Sequence, residues 1–455
     1  MATRQSRRAT RRDGPVVTLA CTAQFVDVIG VTLLIVALPA VQHDLRLTGA
    51  MLAWVAGSYA LVFGGVLVPG GWVADLLGRR VAFIGGSLLV AAGSGVCALA
   101  RSGEVLLAGR ALQGLGAAVA VPAALALVLA ALPPGPRRTR ALGWWTMAGA
   151  AGGAFGFVLG GVVTQLVGWR WLFAAIGAVE LLAAAVTPLI VGPVARRIAR
   201  LDVPGALLAI TAPGALIWAL NEGLGQPAAW AGLAVAAVAG VSFAVAERRC
   251  SDPMVPPAVW RLPSFRLGAA VAAVLTATTS GANVIGTLFA QDVLGLSGAA
   301  GGACFLLFSA GVVVSSTIAP AALRRIGARR AMTLGLAVVA ASMAVQSWAV
   351  SRTSLTAFLT GLTMSGLGLG LASVASTAHG TAETTEQTSG MIGGLLNAAA
   401  QIGTAIGIAV LLATPGGQAA AYLVAAGLAV VTASACALVR QPPASTSEPD
   451  PRRCN

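Results

Sequence analysis

Long apolar runs broken by short polar turns dominate this chain. A helix rising 1.5 Å per residue needs about 20 apolar residues to cross about 30 Å of hydrocarbon. Fourteen runs meet that need: 16–40, 51–74, 80–100, 104–132, 141–166, 170–192, 203–220, 228–246, 266–290, 298–321, 330–350, 355–378, 389–413 and 418–439. The pattern predicts an all-α polytopic membrane protein. The first run follows Arg11-Arg12, as an export signal would, but it is too long for a signal core and thirteen more follow, so it reads as a retained helix.

The polar turns carry an asymmetry. If the N-terminus lies inside, 24 arginines fall on the inner side, and only Arg46, Arg101, Arg170 and Arg352 on the outer. An excess of basic residues marks cytoplasmic loops, so both termini are expected in the cytoplasm and the number of spans should be even. The same bias accounts for the net charge of +14, carried by 29 basic residues that are all Arg. That surface faces anionic lipid and needs no nucleic acid.

Composition then removes several function classes. Only 10% of residues are charged, against about 25% in soluble domains, and the mean hydropathy is +0.86. A soluble enzyme, a disordered chain and a secreted disulfide scaffold are excluded. The 57 glycines suit helices packed closely in a bilayer. Six scattered cysteines and two distant histidines, His43 and His379, form no metal spacing. No phosphate-binding loop of the Walker type occurs, so ATP is not the implied energy source.

Four features carry candidate chemistry. Asp27 and Glu180 are the acids deep within spans, and a charge at mid-bilayer costs about 2.5–3.5 kcal/mol on insertion scales, which makes such acids functional candidates. By helix rise, Asp27 lies about 16 Å and Arg110 about 21 Å from the inner side, a gap of about 5 Å that an Arg side chain can bridge; Gln113 falls near the level of Asp27. Asp27 with Arg110 reads as a proton-binding pair or as a permanent buried ion pair. Glu180 reads as a second proton site, a substrate contact or a protonated structural acid. Second, Ala148, Gly152, Gly156 and Gly160 form a small-residue stripe that lets two backbones approach. Third, Asp75 beside Arg79 and Arg80 reads as a latch or as a static helix-end ion pair. Fourth, Gln24, Asn283, Asn397 and Gln401 place amides near mid-membrane, as cavity lining or interhelical glue. Glu383 and Glu386 read as a solvated loop.

Gly71-Trp72-Val73-Ala74-Asp75-Leu76-Leu77-Gly78-Arg79-Arg80 resembles the loop signature of the major facilitator superfamily. Arg110-Ala111-Leu112-Gln113-Gly114 resembles its fourth-helix motif, and Gly152 through Gly156-Phe157 to Gly160-Gly161 its fifth-helix motif. Trp54, Tyr59, Gly168-Trp169-Arg170-Trp171, Asp202 with Gly205, Leu220-Asn221-Glu222-Gly223 and Gln291-Asp292-Val293-Leu294-Gly295 resemble the fourteen-span drug:proton antiporter branch. Departures are Gly30 at the usual acid position, Ile35 at the usual Asn, Phe157 for a kinking Pro and Ala400 for a common base. Asp27 stands one turn before Gly30, on roughly the same face.

The resemblance implies two six-helix bundles, 16–192 and 266–439, an inserted helix pair, 203–246, and cytoplasmic tails, 1–15 and 440–455. The short basic turns ending at Arg80 and Arg330 are an internal echo of such a repeat. It implies a monomeric, cofactor-free, proton-driven exporter of small amphipathic compounds in the plasma membrane. Gln24, Tyr59, Gln113, Asn283, Asn397 and Gln401 would then line the cavity. Asp27, Arg110 and Glu180 would handle protons. A uniporter or symporter for one metabolite is the alternative within transport; a non-transporting sensor or scaffold is the alternative outside it.

Overall fold

The computed structural model describes residues 2–132, 135–192, 203–222, 226–250, 253, 257–383 and 386–438. The side chains of 2–13, 72, 75, 139, 203, 206, 221, 257 and 386–390 lie outside that description, and with them the Asp75 and Glu386 side chains. So do Asp202, Gly223 and the 440–455 tail.

The helices are α1 (Ala2–Leu45), α2 (Gly49–Leu77), α3 (Arg79–Ala98), α4 (Gly103–Ala131), α5 (Pro136–Leu166), α6 (Arg170–Ile190), α7 (Val203–Glu222), α8 (Pro227–Arg249), the short α9 (Pro257–Arg261), α10 (Pro263–Leu288), α11 (Gly298–Ile326), α12 (Ala328–Arg352), α13 (Leu355–Gly380), α14 (Glu386–Leu412) and α15 (Gly417–Leu438). Thirteen contain a stretch long and apolar enough to span a bilayer, and α7 adds a shorter one, Leu207–Leu220. Apart from α9, they correspond one to one with the fourteen apolar runs. The largest boundary difference is α1, which begins at Ala2 rather than near 16. Arg, Ala and Gln are good helix formers, so the basic segment continues the helix.

Local chemistry sets the helix ends. Thr48, Ser102, Ser297 and Ser354 cap α2, α4, α11 and α13, each accepting a hydrogen bond from the backbone three residues on, which satisfies an otherwise orphaned donor. At the opposite end, Gly78 (φ 86°) and Gly327 (φ 80°) turn α2 into α3 and α11 into α12. This left-handed backbone favours glycine. Thr48 to Gly78 and Ser297 to Gly327 are equally spaced.

The packing repeats as well. In the first half, α1 packs on α5, α2 and α3 on α4, and α3 on α6. In the second, α10 packs on α14, α11 and α12 on α13, and α12 on α15. Helices α7 and α8 pack on each other, and α7 also touches α2 and α14. The halves meet through α2 with α14 and α5 with α11.

The small-residue stripe packs α5 on α1. A Cβ at Gly152 would meet the Phe25 carbonyl at 2.6 Å, and one at Gly160 the Leu33 carbonyl at 2.6 Å. Gly161 belongs to another contact, against Gly298 of α11. The end at which α1 finishes, hereafter the far end, is closed across the halves. Phe157 stacks on Phe305 at 4.8 Å and meets Phe308 edge-on. Gln291 Nε2 donates to the Val36 carbonyl over 2.9 Å. Towards the near end α1 and α5 instead line a cavity of about 670 Å³, with Thr18, Phe25, Arg137, Arg140 and Trp144 in its wall.

Candidate functional site

Five helices of the first half bring their polar residues to one place. Tyr59 of α2 donates its hydroxyl to Asp27 Oδ1 of α1. The Arg110 guanidinium of α4 lies over the Tyr59 ring, 4.7 Å from its centroid. Arg110 Nη1 donates to Gln113 Oε1 over 3.0 Å and to the Gly30 carbonyl over 3.4 Å. Gln113 Nε2 donates to Ser94 Oγ of α3 over 2.7 Å, and the Ser94 hydroxyl donates in turn to the Val90 carbonyl. Arg110 is 1% exposed and Glu180 of α6 is 5% exposed; Asp27 is only partly buried. Asp27, Tyr59, Arg110, Gln113 and Glu180 share the wall of a cavity of about 20 Å³.

The sequence reading expects Arg110 to reach Asp27 directly. The structure places Tyr59 between them. Among the described residues the one ion pair is Arg170–Asp44, at 2.6 Å. An interposed tyrosine serves both charges, because its hydroxyl donates to the carboxylate and its ring face attracts the cation. A desolvated cation over an aromatic face gains about 2 kcal/mol or more. Gly30 explains the rest of the geometry. At the position where the resembling branch carries its acid, this chain offers a carbonyl that accepts from the guanidinium.

The other candidates lie apart from this cluster. Gln24 is partly buried against Gly149 on the α1–α5 seam. Asn283 is buried in α10. Asn397 is exposed on α14, and Gln401, one turn on, packs its stem near Gly64 of α2. Arg79 Nη1 donates to the Ala126 carbonyl of α4 over 3.2 Å; Arg80 is partly buried. Gly71 has open space around it.

Sequence reasoning missed two groups. Asp44 at the end of α1 accepts from Arg170 Nη1 and Trp169 Nε1, while Arg170 Nη2 bonds the Ala100 carbonyl. This knot ties three far-end turns together; the Gly168-Trp169-Arg170 motif signalled it, but its acidic partner lies more than a hundred residues away. The aromatic plug of Phe157, Phe305 and Phe308 was also missed, since its rings come from two halves of the chain.

Comparison with known proteins agrees with this architecture. The cephamycin export protein of Amycolatopsis lactamdurans is 37% identical over 332 residues, covering 70% of this chain and 68% of that protein. The lincomycin resistance protein of Streptomyces lincolnensis is 34% identical over 348 residues, 74% and 71% of the two chains. The puromycin resistance protein of Streptomyces alboniger is 35% identical over 367 residues, 78% and 72%. The crystal structure of the POT family transporter PepTSo superposes with a TM-score of 0.70 at 16% identity, over 94% of this chain and 97% of that one; at that identity the likeness speaks for the fold alone. The profile of the Major Facilitator Superfamily matches residues 20–247 and 267–453, so this multi-pass membrane protein belongs to that superfamily of transporters.

Proposed function

We propose that this chain is a proton-coupled exporter of small amphipathic compounds of the antibiotic and drug class, working by alternating access in the plasma membrane. The observation that carries the reading is Asp27, partly accessible in the middle of α1 and held by Tyr59 beneath the Arg110 cation. Export of such compounds is supported by relatives whose names are cephamycin export, lincomycin resistance and puromycin resistance. The arginine bias supports a cytoplasmic near end. The closed far end and the cavity between α1 and α5 then correspond to an inward-facing state.

In this state the carboxylate is held by a donor and a nearby cation, both of which favour its charged form. Rocking of the first bundle against the second, at the α2–α14 and α5–α11 contacts, changes the side from which Asp27 is reached. Asp27 then takes a proton from the far side and releases it to the cytoplasm when substrate enters. Asp75, Arg79 and Arg80 close the near end in the alternate state. The chain works as a monomer without a cofactor, and the proton gradient supplies the energy.

The test is transport in reconstituted vesicles, with puromycin and lincomycin as probes and an imposed pH gradient. Wild type should accumulate a probe against its gradient, in the direction opposite to the protons. Asp27→Asn keeps the size of the group but cannot titrate; it should lose uphill transport and retain exchange of probe for probe. Uphill transport by Asp27→Asn at the wild-type rate would remove Asp27 from coupling. Folded wild type that moves neither probe in any gradient would favour the sensor reading.

A further inference from the structure

The cavity behind Tyr59 holds more charge than a single proton carrier needs. Two carboxylates, Asp27 and Glu180, share it with one guanidinium, Arg110. With both acids ionised the pocket would be one charge negative in a low-dielectric core, a costly state. One proton on either acid makes it neutral, and a second makes it one charge positive. The pocket is therefore built to hold at least one proton, shared between two acids on different helices.

The polar atoms facing the space are only partly satisfied. Among the described residues, Glu180 Oε2 and Arg110 Nε belong to residues of this wall and are buried without a hydrogen-bond partner. Ser87 of α3 lies beside Glu180. A buried water needs about 10–15 Å³ of such space and two to four polar partners; this cavity has about 20 Å³, with the unsatisfied Glu180 Oε2 and Arg110 Nε on residues of its wall. Resting on the reading of Asp27 as proton carrier, we propose that Glu180 is the second proton-binding group of the coupling site, joined to Arg110 and Asp27 by one water held in this cavity.

The charged and titratable groups around Glu180 come from every side. Asp27 faces it from α1, Tyr59 from α2, and Arg110 from α4, with Cys97 of α3 bonded to Gln113 behind them. Helix α5 carries no acid, and its three arginines lie in its first turns. The proton on Glu180 comes from water and returns to water, passing through the bound molecule as one O–H bond forms and another breaks. The site passes between one bound proton and two. Asp27, partly accessible, exchanges with the outside; Glu180, fully enclosed, keeps the pocket neutral while Asp27 is charged.

The experiment is infrared difference spectroscopy of the purified full chain in lipid nanodiscs, titrated over pH without substrate. It follows the C=O stretch of protonated carboxyl groups and the O–H stretch of enclosed water. Wild type should show two coupled carboxyl bands. Glu180→Gln, which keeps the shape of the side chain, should lose one band and move the midpoint of the other. Val121→Ile adds one methylene to the cavity wall and touches no polar group; it should abolish the water band that shifts in oxygen-18 water, and make the two midpoints independent. Unchanged bands and midpoints in Glu180→Gln would overturn the second site, and unchanged coupling in Val121→Ile would overturn the water link. If Asp27→Asn instead removes no band, the failure belongs to the reading of Asp27 and not to Glu180.

Discussion

The two halves of the molecule pack their helices in the same order but fill their cores differently. In the first half α1, α2, α3, α4 and α6 enclose Asp27, Tyr59, Arg110, Gln113 and Glu180. In the second half the corresponding space among α10, α12, α13 and α15 is filled by Leu275, Ile285, Leu336, Met343 and Tyr422, the last donating its hydroxyl to the Ala282 carbonyl. One architecture therefore holds a charged core and an apolar one. Helix packing is set by small residues and caps that both halves possess, whereas the buried charge is set by a few side chains that, among the described residues of the two bundles, lie in the first half. Under the proposed function, the first half titrates and the second is the surface against which it moves.

The contrast breaks most sharply at Arg110. Replacing it with Met leaves Asp27 and Glu180 without their cation, and removing one partner of a buried charge network costs about 3–5 kcal/mol. Arg110→Met should unfold at distinctly lower temperature in detergent and lose gradient-driven export. Adding Asp27→Asn should restore part of the thermal stability but none of the export. A single variant as stable as wild type would show that Arg110 is not balancing the acids.

A second break lies where the halves meet. Gly161 backs onto Gly298, and Phe157 stacks on Phe305, at the far end. Gly161→Val inserts a branched side chain where a Cβ already overlaps backbone, and overpacking of this kind costs about 1–3 kcal/mol. Under the proposed alternating access this contact opens as the far end opens, so the cost falls on the closed state rather than on the fold. A cysteine at position 158 should become more reactive to an impermeant thiol reagent from outside, with expression unchanged. Unaltered reactivity would mean that the closure seen here does not depend on this seam.

The legibility of these features follows from their range along the chain. Helices were legible because hydrophobic length alone specifies a span, and the boundary error at α1 arose because an arginine-rich segment is polar yet helix-forming. The small-residue stripe was legible because helix periodicity puts Gly152, Gly156 and Gly160 on one face. Depth arithmetic brought Gln113 near the level of Asp27 and Arg110 within about 5 Å of it, a gap an Arg side chain can bridge. It could not show that Tyr59 would stand between two of them, since depth carries no information on which neighbour turns inward. Asp44 with Arg170, and Phe157 with Phe305, were hidden for the same reason: each pair joins helices remote in sequence, and nothing local marks one member as the partner of the other.

The finest test of the contrast uses two buried glutamines. Gln113 lies on the α3–α4 seam and Gln346 on the corresponding α12–α13 seam, against Gly361. Gln113 bonds Arg110 and Ser94; among the described residues neither amide atom of Gln346 finds a partner, although the side chain is 1% exposed. An unsatisfied buried polar group costs about 1–3 kcal/mol, and replacing it by an apolar group of similar shape recovers that cost. Gln346→Leu should therefore leave thermal stability unchanged or raise it, with transport intact. Gln113→Leu should lower stability by about 1–3 kcal/mol, because Arg110 loses an acceptor and Ser94 a donor. Equal losses in the two variants would mean that the second half also satisfies its polar atoms, and that the division into a charged and an apolar core is less complete than the packing indicates.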